Sequence, residues 1–147
     1  MNGVIPAAEW EKEIRMEMMI DFPGGSRVDA HFKGFSVPTD QPPAASAPMP
    51  FDLFLASIGT CAGIYVLGFC QHRGLSTEGI QLVQRTHTDR STGMVTDIDI
   101  EIQVPPTFPA KYYDSLVRSA ELCKVKKHLE QPPTFNVTTK LSQAELS

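Results

Sequence analysis

An uncharged stretch of eighteen residues, 53–70, constrains the fold of this chain more than any other part of the sequence. Pro50 lies just before the stretch, and Gly74 follows it after a short polar segment. Proline is favoured in the first turn of a helix and glycine just past its end, so the pattern predicts one long helix. Because the stretch is apolar on every side, we expect this helix to be buried at the centre of the molecule.

The same stretch approaches the length that spans a lipid bilayer. It is nevertheless rich in small residues, because Gly59, Gly63 and Gly68 interrupt it. No strong basic cluster flanks it on one side, as the positive-inside rule would require of a membrane helix. We therefore expect a core helix in a protein that does not enter the membrane. Its glycines would let strands or a second subunit approach the helix backbone.

Length and composition indicate one domain that covers residues 1–147. With 41% hydrophobic residues, a chain of 147 residues buries roughly two thirds of its unfolded surface. The net charge of -4 and the lack of a basic stripe argue against nucleic acid as a partner. Residues 1–10 lack the features of a signal peptide, and three cysteines do not make a secreted disulfide scaffold. We therefore expect a cytoplasmic protein.

Residue patterns on both sides of the central helix predict further elements. Strands are predicted at residues 14–20, 27–32, 35–37, 80–88, 95–104 and 135–141, and helices at 110–122 and 125–129. Turns are predicted at 22–25 and 91–93, and the proline-rich segment 38–50 is predicted to be a loop. This order indicates an α+β fold in which mostly antiparallel sheets pack on helices.

An acidic run alternates with isoleucines in the predicted strand 95–104. Asp97, Asp99 and Glu101 share one face of that strand because successive side chains point to opposite sides. We interpret them as a solvated face and not as a metal site, because no group of histidines or cysteines accompanies them.

The three cysteines are the candidate redox residues. Cys61 and Cys70 are nine positions apart, so one helix would place them on opposite faces and roughly 13 Å apart along its axis. That separation is too large for a disulfide, so any redox pair must include Cys123, with either of the other two as its partner. Cys61 has the better surroundings, since Gly59 and Gly63 leave room for a substrate. Cys70 lies near the helix end, where the helix dipole disfavours a thiolate.

A reactive thiol also needs a cation, because only a few per cent of an ordinary cysteine is thiolate at neutral pH. Arg27 is our candidate, since the tip of its predicted hairpin can reach over a helix and a guanidinium stays charged. The basic run Lys124, Lys126, Lys127 and His128 could serve Cys123 in the same way. Basic residues at a helix end also suit the helix dipole without any chemical role.

Two segments resemble the cysteine segments of the OsmC/Ohr family, the osmotically inducible protein C and organic hydroperoxide resistance proteins. The first is residues 50–61, which ends at Cys61, and the second is residues 120–125 around Cys123. The order of elements is similar too, so the resemblance covers nearly the whole chain. It implies an OsmC-like fold, an intertwined homodimer with active sites at the subunit interface, and no cofactor. It further implies a thiol-dependent peroxidase that acts on organic hydroperoxides in oxidative-stress defence.

The resemblance also implies a role for each candidate residue. Cys61 would be the peroxidatic residue, whose thiolate is oxidised by the hydroperoxide to a sulfenic acid. Cys123 would resolve it as a disulfide, which an external dithiol then reduces. Arg27 resembles the family's arginine that stabilises the thiolate and orients the peroxide.

At the start of the helix the sequence departs from the family pattern. Ohr-type proteins carry a glutamate directly after the proline, where this chain has Phe51. Asp52 is the next residue, rotated by about 100° on a helix, so it is at most a supporting residue. Lys124 stands where a proline often follows the second cysteine. We infer a divergent OsmC-like branch.

A second interpretation is a non-catalytic protein of the same fold. It would bind an apolar or acyl ligand in the interfacial pocket, without turnover. Aromatic residues of the central helix are predicted to line that pocket: Phe51, Phe54, Tyr65 and Phe69.

Overall fold

The computed structural model describes residues 16–142, which form an α+β fold with two antiparallel sheets and a long helix. The first sheet contains β1 (Met19–Gly24), β2 (Arg27–Phe32) and β3 (Phe35–Thr39) in the order β1-β2-β3. Helix α1 (Pro50–His72) follows, and then the hairpin of β4 (Gln81–Thr88) and β5 (Val95–Gln103). A 3-10 turn (Ala110–Tyr112) leads into α2 (Tyr113–Ala120), which is followed by α3 (Lys124–Glu130). The predicted fold class is confirmed.

Helix α1 begins and ends where the sequence predicts. Pro50 occupies the first helical position, where its missing N–H costs no hydrogen bond. At the other end Gly74 has a positive φ of 64°, and the backbone N–H of Leu75 donates to the carbonyl of Cys70 at 2.9 Å. Glycine adopts this left-handed conformation without steric cost, which explains why the helix stops there.

One stripe of α1 is buried, and the rest is not. The buried residues are Ile58, Ala62, Val66, Phe69 and Cys70. Their spacing of three and four places them on one face, towards the β4–β5 hairpin, α2 and α3. Within this chain the prediction of a helix buried on all sides is therefore wrong, since Ile64 is 65% and Leu67 is 42% exposed. Length and hydropathy alone would let α1 cross a membrane, but 28% of its most apolar window is already buried in this core.

A close contact joins α1 to the β4–β5 hairpin at Gly59. The side-chain Nε2 of Gln84 on β4 donates to the backbone carbonyl of Leu55 at 2.9 Å. A Cβ atom at Gly59 would lie 2.5 Å from Oε1 of Gln84, so only glycine fits without movement. This confirms the expectation that a glycine of the helix admits a strand.

The β4–β5 hairpin matches its prediction closely. Ile98, Ile100 and Ile102 are half-buried, and the acidic residues that alternate with them are exposed. On the exposed face Arg85 lies 3.6 Å from Glu101 and His87 lies 3.0 Å from Asp99. The acidic run is thus a solvated strand face with cross-strand partners.

The first strand lies later in the chain than predicted. Strand β1 begins at Met19, whereas residues 16–18 have no regular structure and residues 14 and 15 lie outside the described range. The predicted turn 22–25 is instead largely strand, since β1 extends to Gly24. Pro23 lies within β1, next to an irregularity in its pairing with β2. An edge strand tolerates proline there, since its outer N–H groups need no partner within the sheet.

The predicted final strand is also wrong for the single chain. Residues 135–141 have no regular secondary structure, and Phe135 and Val137 are 84% and 95% exposed. The alternating pattern is real, but a strand forms only when another strand supplies its hydrogen-bond partners. The predicted helix 110–122 is likewise divided, because a 3-10 turn occupies its first residues and α2 ends at Ala120.

The loop before α1 is held by one buried carboxylate. Asp40 accepts hydrogen bonds from the hydroxyls of Ser26 and Ser46 and from the backbone N–H groups of Gln41 and Ser46, at 2.6 to 2.8 Å. These bonds, led by the one from Ser26, hold the pKa of Asp40 well below its usual value. The proline-rich segment is therefore an ordered loop, although β3 extends into it as far as Thr39.

Candidate active site

The break between α2 and α3 brings Cys123 to the helix that carries Cys61. Cys123 caps the start of α3, where its sulfur accepts a hydrogen bond from the backbone N–H of Lys126 at 3.4 Å. Its thiol contacts the backbone carbonyl of Ile58 at 3.8 Å. Ile58 lies one turn before Cys61 on α1, so residues more than sixty positions apart in sequence share one site.

The surroundings of Cys61 favour its thiolate. Burial alone would raise the pKa of this half-buried thiol. Hydrogen bonds from the backbone N–H of Val125, the Cys123 side chain and the backbone N–H of Lys124 act in the opposite direction, and the charge of Lys124 assists them. The lowering effects prevail, so the pKa of Cys61 lies below its ordinary value. A larger fraction of Cys61 than of an ordinary cysteine is therefore thiolate at neutral pH.

Cys70 has the opposite character. It is fully buried in the core cluster with Val66, Phe69, Phe108 and Leu116. Burial raises the pKa of its thiol, and the charge of Arg73 offsets this only in part. Of the two partners that the sequence leaves open for Cys123, the structure brings Cys61 to it and keeps Cys70 in the apolar core. All three cysteines are free thiols.

Arg27 does not act on Cys61 within the described residues of this chain. It lies on β2, where its guanidinium forms an ion pair with Asp29. The cation that lowers the pKa of Cys61 is Lys124, which the sequence suggested either as a partner of Cys123 or as part of a solvated helix end. The backbone N–H groups of Lys124 and Val125 were missed altogether. Composition gives no sign of such donors, because every residue except proline carries one.

The other predicted site residues lie along α1. Asp52 is exposed in the first turn, and Phe51 is exposed and stacks on Phe54 with ring centroids 5.4 Å apart. Tyr65 is half-buried one turn after Cys61. Phe69 belongs to the core, where its ring meets that of Tyr112 edge to face at 5.7 Å, so its assignment to a ligand pocket is wrong.

A cavity of about 540 Å³ lies behind Cys123, between β5 and the three helices. Most of its walls are aliphatic, with a few polar side chains among them. The lining residues are Ile58, Ala62, Val95, Thr96, Asp97, Ile98, Ile100, Ile102, Val117, Ala120, Glu121, Cys123, Lys126 and Leu129. Phe51, Phe54 and Tyr65 do not line this cavity, and their role in a pocket stays a prediction. The cavity can accept an apolar molecule within reach of Cys123.

Comparison with protein families gives one match. The model for "OsmC-like protein" matches residues 43–138, which is more than half of the chain and includes both Cys61 and Cys123. A search of curated protein sequences gives no significant match.

Solved structures show the same fold at low sequence identity. A structure from Psychrobacter arcticus, described as an osmotic stress induced and detoxification response protein, is similar with a TM-score of 0.65 and 17% identity, covering 78% of this chain and 88% of that one. An OsmC-like protein from Mycoplasma pneumoniae has a TM-score of 0.65 and 10% identity over 82% and 90% of the two chains. A hypothetical protein from Aquifex aeolicus has a TM-score of 0.61 and 14% identity over 82% and 90%. At these low identities the similarity is evidence for a shared fold alone.

Proposed function

This chain belongs to the OsmC-like protein family, and on that premise we propose that it is a cysteine-based peroxidase that reduces organic hydroperoxides to alcohols. The observation that carries the proposal is the meeting of two thiols with unequal roles. Cys61 has a lowered pKa and is half-buried, whereas Cys123 is buried and is one of the groups that lower the pKa of Cys61. A reactive thiol beside a sheltered one is the arrangement that a peroxidatic and a resolving cysteine need.

In the proposed chemistry, electrons pass from an external dithiol through the two thiols to the hydroperoxide. The Cys61 thiolate attacks the terminal oxygen of the hydroperoxide, the O–O bond breaks, and the departing alkoxide takes up a proton and leaves as the alcohol. Cys61 is then a sulfenic acid. The Cys123 sulfur attacks the Cys61 sulfur, the S–O bond breaks and water leaves, which gives a disulfide. An external dithiol reduces that disulfide by exchange.

We further propose that the working form is a homodimer. Large apolar side chains are exposed on three parts of the chain, namely α1, β1 and the segment after α3. They include Ile64, Leu67, Ile20, Phe22, Phe135 and Val137. A second copy of the chain would cover them and would supply a partner for the unpaired segment 135–141.

Arg27 would complete the site in that dimer. Within one described chain the groups that act on Cys61 do not include it. We therefore propose that Arg27 of the partner subunit approaches Cys61, stabilises its thiolate and orients the peroxide. The reducing cytoplasm, where free thiols persist, is the compartment that suits this chemistry.

Peroxide consumption by thiol variants tests the proposal. Purified protein should consume cumene hydroperoxide in the presence of dithiothreitol, and Cys61→Ser should lower the rate by at least a hundredfold because it removes the nucleophile. Cys123→Ser should leave one round of Cys61 oxidation intact but prevent the disulfide. Cys70→Ala is the matched control, since this thiol lies in the core and should affect stability more than rate. An unchanged rate in Cys61→Ser would remove Cys61 from the mechanism.

A second candidate function follows from the cavity behind Cys123. Its aliphatic walls favour a protein that binds an apolar or acyl ligand without turnover. Such a protein would release a bound ligand in native mass spectrometry and would form no Cys61–Cys123 disulfide on treatment with hydroperoxide. Peptide mapping after mild oxidation therefore separates the two functions.

A further inference from the structure

Strand β2 carries a buried carboxylate next to the candidate catalytic arginine. Arg27 and Asp29 are two positions apart, so their side chains lie on the same face of the strand. Nη2 of Arg27 donates to Oδ2 of Asp29 in a charge-assisted hydrogen bond. The side chain of Asp29 is only 8% exposed, whereas that of Arg27 is 41% exposed. Asp29 thus fixes one end of a guanidinium whose remaining surface is accessible.

Two other carboxylates are near this pair, Asp21 on β1 and Asp40 just after β3, and each has a different partner. Asp40 is saturated by the hydrogen bonds that hold the loop before α1. Asp21 faces Asp29 across the β1–β2 register, but it bonds to His31 at 3.1 Å. Among these carboxylates Asp29 is the one engaged with Arg27.

The geometry of the pair is not that of an optimised structural ion pair. The contact uses Nη2 and Oδ2, while Nε of Arg27 and Oδ1 of Asp29 are buried without a hydrogen-bond partner within residues 16–142. Buried polar atoms are almost always paired, so an ion pair that leaves two of them without a partner adds little to stability. The contact therefore fixes the orientation of the guanidinium more than it stabilises the fold.

We infer that Asp29 is the positioning residue of Arg27. At the start of α1, where Ohr-type proteins carry a glutamate, Phe51 is apolar and Asp52 is exposed on the helix. The carboxylate that holds the guanidinium lies instead on the strand that carries the arginine itself. This inference rests on the proposed peroxidase function, since it concerns how Arg27 is held ready for Cys61 and the hydroperoxide.

A double-mutant cycle on the full-length protein tests the inference, with cumene hydroperoxide and dithiothreitol as substrates. Asp29→Asn removes the charge and keeps the shape, and it should lower kcat/KM by about tenfold or more because the guanidinium loses its orientation. In an Arg27→Ala background the same substitution should change kcat/KM by less than twofold, because Asp29 acts through Arg27. A residue that merely supports the fold would produce the same loss in both backgrounds. Asp21→Asn is the matched control on the same sheet face and should leave the rate unchanged.

The outcomes separate the inference from the function on which it rests. If wild-type protein consumes hydroperoxide and Arg27→Ala impairs it, an unaffected Asp29→Asn overturns the inference alone, as does an equal loss in both backgrounds. Absence of turnover in the wild type overturns both. If Asp29→Asn does not fold, the cycle is run with Asp29→Glu, which retains the charge on a longer side chain. That variant should lose activity severalfold when Arg27 is present and none when it is absent, and any other result contradicts the inference.

Discussion

The lowered pKa of Cys61 comes from groups that reach it across the fold. An isolated cysteine on an apolar helix is ordinarily an inert, small hydrophobic residue. Here the backbone N–H groups of Val125 and Lys124, the Cys123 side chain and the Lys124 charge together outweigh the effect of burial on its pKa. Cys70 lies on the same helix without such partners, and burial raises its pKa. Two thiols on one helix therefore have pKa values shifted in opposite directions because of what packs against them.

Alkylation at different pH values checks this difference. A thiol reacts with iodoacetamide as the thiolate, so a lowered pKa moves the midpoint of the rate profile to lower pH. The profile for Cys61 should rise at lower pH than that of an unfolded cysteine, and Cys70 should be unreactive until the protein unfolds. Lys124→Gln should move the Cys61 midpoint upwards, because it removes the favourable charge. Peptide mapping by mass spectrometry gives each profile, and equal midpoints for Cys61 and an unfolded cysteine would contradict the prediction.

At the scale of elements, the contact between α1 and β4 depends on the absence of a side chain at Gly59. The helix and the hairpin approach so closely there that Gln84 reaches the carbonyl of Leu55. That carbonyl lies one turn before Gly59 on α1, so the helix presents its backbone and not a side chain to the strand.

The substitution Gly59→Ala tests this contact. Alanine exceeds glycine in helix propensity by about 1 kcal/mol, but its Cβ would displace the end of the Gln84 side chain and break a hydrogen bond worth a similar amount. We expect little or no net gain in the free energy of unfolding for the single variant. In a Gln84→Ala background, where the obstacle is gone, the same substitution should gain about 1 kcal/mol. Urea denaturation measures both, and an equal change in the two backgrounds would show that the contact does not matter.

At the scale of the whole molecule, the single chain leaves much apolar surface uncovered. The sequence predicts that α1 is buried on all sides and that residues 135–141 form a strand, and neither holds in one chain. The proposed homodimer accounts for both with one assembly.

The exposed apolar residue Ile64 provides a test of that assembly. Ile64→Glu would place a charge in the dimer interface. It should raise the dimer dissociation constant more than a hundredfold, which corresponds to a loss of about 2.7 kcal/mol in the free energy of association. Met94 at the β4–β5 turn is the matched control, because its side chain is 66% exposed and that of Ile64 is 65% exposed. Met94→Glu should leave the dimer intact. Analytical ultracentrifugation measures the masses, and circular dichroism verifies that the variants are folded. A monomeric wild type would rule out the assembly.

The elements that rest on local patterns could be predicted closely. Helix α1 begins at Pro50 and ends just before Gly74, as expected. The alternation in residues 95–104 predicted the ends of β5 to within one residue. The first strand was misplaced because Pro23 is tolerated at a sheet edge, a property that depends on the neighbours of a strand. The pairing of Arg27 with Asp29 could not be predicted from spacing alone, because residues two apart on a strand share a face without necessarily touching.

The sequence by itself determined the central helix, the hairpin and the α+β class, because periodicity and helix-end signals act over a few neighbouring residues. The residue pattern left open which thiol meets Cys123, and the family resemblance implied Cys61. Only the tertiary structure decided which cation serves Cys61 and where the cavity lies. These depend on contacts between residues more than sixty positions apart. Such contacts are set by how the helices and the hairpin pack together, and no local pattern records them.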